Sequence, residues 1–134
     1  MKVLLVEPLE RARVIAIEGK LSDYQELVGG IIEAVYPWDD EVALVCNDNG
    51  IAEGLPLNRM IGWDTEHPYP IFGTFFICGL GYDDFASLSD ELALKYKKIF
   101  QRPEFFMRGE KDGKDVLYWM QVGAGGARKT FVLD

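Results

Sequence analysis

Short apolar runs rich in Val, Ile and Phe, each closed by Gly, Pro, Asn or Asp, set the limits on what this chain can become. KVLLV (2–6), ARVIAI (12–17), IIEAVYP (31–37), VALVC (42–46) and GTFFICGLG (73–81) are too short and too β-branched or aromatic for buried helices. Bounded by turn residues, they read as strands. None approaches the roughly 20 apolar residues of a membrane-spanning helix. Within GTFFICGLG, Phe75 and Phe76 point to opposite faces, so a strand with both covered is central to its sheet.

Two stretches break this pattern. In LSDYQELVGG, residues Leu21, Tyr24, Leu27 and Val28 share a helical face. Ser22 with Gln25 three positions on predicts a capping box, and Gly29–Gly30 a stop, giving a helix over 22–28. The second helix follows Ser87 or Ser89. Asp90 and Glu91 fall in its first turn and Lys95, Lys97 and Lys98 in its last, in the order that suits the helix dipole. Leu88, Leu92, Tyr96 and Ile99 or Phe100 form its core stripe, and Pro103 ends it.

WDDE (38–41) and NDNG (47–50) read as turns, the first closing a hairpin. Residues 51–72, with Pro56, Gly62, Pro68 and Pro70, read as one long irregular loop. The tail reads as a β-hairpin, FFMRG and VLYWMQV about KDGK, then a GAGG break and a short final strand. The expectation is a single α+β domain. It has a mixed or antiparallel sheet of about six or seven strands, two helices on one face and a C-terminal β-hairpin. A length of 134 residues suits one domain and supplies a core without disulfides or metal.

Fourteen basic side chains oppose twenty-two acidic ones, for a net charge of −8. Residues 1–103 carry the whole excess, and residues 104–134 are balanced. Phosphate-rich partners need clustered cations, so direct nucleic-acid binding and a membrane surface are both disfavoured. Cys46 and Cys78 sit in apolar runs and read as buried thiols. No CxxC or Cys/His set predicts a metal, and no cofactor is expected. MKVLLVEP lacks the long apolar region of a secretory signal, so a cytoplasmic location is expected.

The polar candidates are Asn47, Asn58 and Arg59, with Asp48 and Asn49 beside the first. Amide groups offer paired donors and acceptors, and a guanidinium offers a planar fork, so together they suit a small polar ligand or a nucleotide edge. The same residues equally suit backbone hydrogen bonds that hold a loop in shape. GLGYDD (79–84) lacks the third glycine of a dinucleotide loop and the GK[ST] of a P-loop, and reads as a turn. His67, the sole histidine, has no nucleophile elbow near it and reads as a loop residue. Trp38, Trp63 and Tyr69 fall in turns or loops, where aromatics mark either interfaces or packing over a sheet. With Asp39 and Asp40 they form a candidate interaction face. A free edge on VLYWMQV would allow a homodimer.

The runs LVGGIIEAVYPWDDEVALVCNDNG, GLPLNR and GTFFICGLGYDDFASLSDE closely resemble the bacterial and phage family of domains of unknown function DUF3846, over residues 3–108. The resemblance implies accessory proteins of phages, plasmids and conjugative elements and carries no established activity. It divides the chain into a family-like domain over 1–108 and an extension over 109–134 packed on the same domain. The expected function is a non-catalytic module that binds a protein partner through Trp38, Asp39, Asp40, Trp63 and Tyr69. Inhibition of a host factor is one form of it. The alternative is a small-ligand or nucleotide-binding domain built on Asn47, Asn58 and Arg59.

Overall fold

The computed structural model describes residues 1–133. Its main sheet is antiparallel throughout, in the order β2-β1-β7-β4-β3. These strands are β1 (Lys2–Val6), β2 (Arg13–Ala16), β3 (Ile32–Val35), β4 (Val42–Asn47) and, third along the path, β7 (Phe75–Leu80). The two-residue β8 (Phe85–Ala86) pairs with the end of β7 and makes a sixth strand. β5 (Leu57–Ile61) and β6 (Tyr69–Phe72) form a separate two-stranded ribbon. β9 (Glu104–Lys111), β10 (Lys114–Gln121) and β11 (Arg128–Val132) form a third sheet. With α1 (Leu21–Val28) and α2 (Asp90–Phe100), the described residues make an α+β fold of two helices and eleven strands in three antiparallel sheets.

The helices lie on opposite faces of the main sheet, not on one. Tyr24 and Val28 of α1 pack with Val3, Leu5, Val45 and Phe76. Ala93, Tyr96 and Phe100 of α2 pack with Leu4, Leu44, Phe75 and Ile77. The cause lies in the runs themselves. VLLV, VALVC and FFIC are unbroken apolar stretches, and a strand without polar alternation must be covered on both faces. Phe75 and Phe76 are both fully buried, and β7 is central between β1 and β4.

Three local expectations need correcting. α1 is not capped by Ser22. Asp23 Oδ2 accepts from the backbone N–H of Gly19 and Lys20, at 3.0 Å each, and so satisfies donors ahead of the first turn. The Pro-rich stretch 51–72 is not one loop, because it contains the β5–β6 ribbon. Pro70 pairs with Met60, and a two-stranded ribbon has edges enough to tolerate a missing N–H. VLYWMQV has no free edge, because β10 is the central strand between β9 and β11. Ser89 does cap α2, its Oγ accepting from Leu92 N at 3.2 Å.

Candidate functional site

A β-bulge organises the polar centre of the molecule. Leu57 pairs with Phe72 and Arg59 with Ile71, which leaves Asn58 as the extra residue in β5. A bulge re-aims side chains that regular pleating would send to opposite faces. Here the adjacent Asn58 and Arg59 are both fully buried. Asn58 Nδ2 donates to the carbonyls of Val6 and Gly73, both at 2.9 Å, tying the end of β1 to the segment that enters β7. Asn58 Oδ1 accepts from Arg59 Nη1 at 2.9 Å. Arg59 Nη2 donates to the carbonyl of Glu10 and, at 3.0 Å, to that of Phe100. Phe100 closes α2, so a cation satisfies one of the carbonyls left open at the negative end of the helix dipole.

Glu104, the first residue of β9, completes the cluster at 2% exposure. Its Oε1 accepts from Met60 N at 2.7 Å and from Trp119 Nε1 at 2.6 Å. Its Oε2 stands 3.8 Å from Arg59 Nε, an ion pair too long for a hydrogen bond. Arg59 Nε has no hydrogen-bond partner among the described residues. Burial pushes the Glu104 carboxyl above its usual range, while the bonds from Met60 and Trp119 and the Arg59 charge pull it back. Burial likewise pushes the Arg59 guanidinium down, and Glu104 opposes that shift. Asn58, Arg59 and Glu104 thus join β1, β5, α2 and the C-terminal sheet through one buried polar hub.

Asn47 lies elsewhere and makes no hydrogen bond to Asn58 or Arg59. Its Nδ2 donates to the Val28 carbonyl and to Glu53 Oε2, both at 3.2 Å, and its Oδ1 accepts from Asn49 N at 2.7 Å. That is an Asx turn which also closes the end of α1. The three polar candidates are therefore buried, and their bonds run to the protein itself.

Three aromatic candidates do come together. Trp38, Trp63 and Tyr69 line one cleft of about 550 Å³, with Phe100 at its wall. Trp38 lies 4.6 Å from Tyr96 and Trp63 lies 5.1 Å from Trp119, ring centre to ring centre. Among the described residues, Asp64, His67 and Glu104 are the ionisable side chains of acidic or histidine type in the lining, and no Lys or Arg joins them. Asp39 is exposed beside Trp38. Asp40 is held at the α2 surface by Lys95 Nζ at 2.6 Å and Tyr96 Oη at 2.7 Å. Those bonds, that from Lys95 first, hold its carboxyl below the usual range. Burial, and then Asp40, push the Tyr96 hydroxyl up. Cys46 and Cys78 are both buried, and burial pushes their thiols up to about 11 and about 12. Neither is a thiolate at neutral pH.

Sequence reasoning missed Glu104 and Trp119. A glutamate opening a strand after Pro103 looks like an exposed edge residue, and its Arg59 partner lies 45 positions back. One signal was present: a Glu and a Trp on adjacent strands of a hairpin, each among apolar neighbours, with an Arg amid the apolar run LNRMI.

The fold and cleft define an α+β domain with one helix on each face of an antiparallel sheet, to which a second antiparallel sheet is docked through a buried ion pair. The chain belongs to the family described as Domain of unknown function (DUF3846), whose model matches residues 1–101. No curated protein and no solved structure matches it. The family match ends in the turn between α2 and β9. Arg59 is therefore inside it, while Glu104 and Trp119 are outside.

Proposed function

We propose that this protein is a non-catalytic recognition module of the kind carried by phages and mobile elements, and that it captures a basic protein partner in the Trp38–Trp63–Tyr69 cleft. One observation carries the reading: Trp38 from the β3–β4 turn and Trp63 and Tyr69 from the β5–β6 hairpin converge on a cleft whose lining includes the exposed carboxylate of Asp64 and, among the described residues, no Lys or Arg. Aromatic anchors beside an exposed carboxylate suit an Arg- or Lys-bearing surface, through stacking and charge together. A host nucleic-acid-binding factor is the natural class of such a partner, its phosphate-binding cations meeting carboxylates instead. Capture from host extract tests this. Wild type should retain a basic protein at low salt and release it at high salt, whereas Asp39→Lys with Asp64→Lys should retain none. Equal capture by the variant, or no salt-sensitive basic partner, would contradict the proposal.

A second reading draws on the cleft's size. A volume of about 550 Å³ lies within the roughly 300–1,000 Å³ of small-molecule sites. A thermal-shift screen with nucleotides separates the two readings. A ligand at about a hundredfold its dissociation constant adds about 2.7 kcal/mol of stability, and no rise in melting temperature would leave the protein partner alone.

A further inference from the structure

The pleat of the C-terminal sheet places the carboxylates of its described strands on one face. Directly paired residues on antiparallel strands project from the same face. Trp119 pairs with Phe106 and Lys129, and Leu117 with Phe131, and this face docks on Met60 and Leu57. By the same register Glu104, Glu110 and Asp115 lie on the docked face, together with Arg108 and Lys129. Among the described residues of its strands, the opposite face carries Lys111, Lys114 and Arg128 and no carboxylate.

Between these cations lie apolar side chains without cover. Phe105 is 51% exposed, Met107 65% and Val132 57%. Tyr118 and Met120 are half-buried beside them. A Cβ on Gly109 would come within 2.6 Å of Tyr118 Cε2, so the tyrosine ring lies across Gly109 on the sheet floor. A shallow groove of about 720 Å³ crosses this face, walled by Phe105, Met107, Tyr118, Met120, Arg128 and Thr130.

Charge selects the occupant. A second copy laid face to face would set Lys111, Lys114 and Arg128 against the same three cations. A nucleic acid would have to approach a chain of net charge −8, and the face presents no Asn or Gln to read bases. An acidic protein segment that also bears apolar side chains satisfies both the cations and the groove. We propose that the outer face of the β9–β10–β11 sheet is a binding face for such a segment. This rests on the sheet alone and stands or falls apart from the cleft.

Fluorescence anisotropy with a labelled peptide alternating Glu with Leu and Phe tests the face. The wild type should bind it, and more weakly as salt rises. Lys111→Glu with Lys114→Glu and Arg128→Glu should weaken binding by about tenfold or more, since each reversed pair turns attraction into repulsion. All three side chains are exposed, so circular dichroism should show the fold intact. Arg11→Glu with Lys97→Glu and Lys98→Glu makes the same change in net charge elsewhere and should leave binding unchanged, as should Asp64→Lys in the cleft. Equal weakening by both triple variants would overturn the proposal, because net charge alone would then govern. So would no binding of the peptide, or tighter binding of labelled oligothymidine, which would make the face a stacking platform for single strands.

Discussion

The main sheet and the C-terminal sheet are held by different physics. β1, β4 and β7 are sealed by apolar side chains on both faces, in two layers that each receive a helix. The C-terminal sheet meets the rest through a small cluster around Met60, Leu117 and Trp119, together with the Arg59–Glu104 hub. Apolar burial is non-directional and supplies stability. A buried ion pair adds little net stability once desolvation is counted, but removing one partner leaves an uncompensated charge. The comparison teaches that apolar layers stabilise the main sheet, whereas a buried polar hub fixes where the C-terminal sheet sits against it.

That contrast can be broken from either side. The largest expected effect is Phe76→Ala. Emptying a fully buried ring site between β1 and β4 should cost about 4 kcal/mol and destabilise the whole molecule, as read by urea unfolding. Glu104→Ala should cost about 3 kcal/mol or more, because it strips Met60 N and Trp119 Nε1 of their acceptor and Arg59 of its counter-charge. Its signature should be local, with near-ultraviolet dichroism from Trp63 and Trp119 lost before the far-ultraviolet signal of the sheet. Trp119→Phe keeps the ring packing and removes only the donor to Glu104. It should cost about 2 kcal/mol, as for a hydrogen bond to a charged group.

The smallest effect is a pH dependence. Glu104 has its folded carboxyl raised, chiefly by burial. Its contribution to stability is therefore fully present below the unfolded carboxylate value and lost as pH rises through the folded one. Urea melts should show wild type gaining on Glu104→Gln as pH falls through that window, because the variant has no proton to take up. A constant difference across the window would show that burial does not dominate at this carboxyl.

The main sheet was readable because its signals are local. Unbroken apolar runs, Gly29 after α1, and Ser89 ahead of α2 with Asp90 and Glu91 in its first turn each act within a few residues. The helix arrangement was misjudged although the same runs carried it: FFIC and VALVC leave no polar face for solvent. The β5–β6 ribbon was hidden because Pro68 and Pro70 are breakers by local chemistry, and only the ribbon's edges make Pro70 harmless. For the cleft, Trp38, Trp63 and Tyr69 were visible as aromatics in turns, but their convergence depends on how α2 and the ribbon pack. The hub was half visible. Asn58 and Arg59 stood out as polar residues, and their burial follows from a bulge that no spacing rule reveals. Glu104 could not be paired with Arg59 across 45 positions, because charge-partner rules in sequence reach only one helical turn or one hairpin.

Residue-resolved hydrogen exchange on the intact chain, comparing wild type with Glu104→Ala, tests most directly whether this hub docks the C-terminal sheet. Protection should collapse in β9, β10 and β11 while β1, β4 and β7 keep theirs. Loss spread evenly over all three sheets, or undiminished protection in β10, would contradict the account.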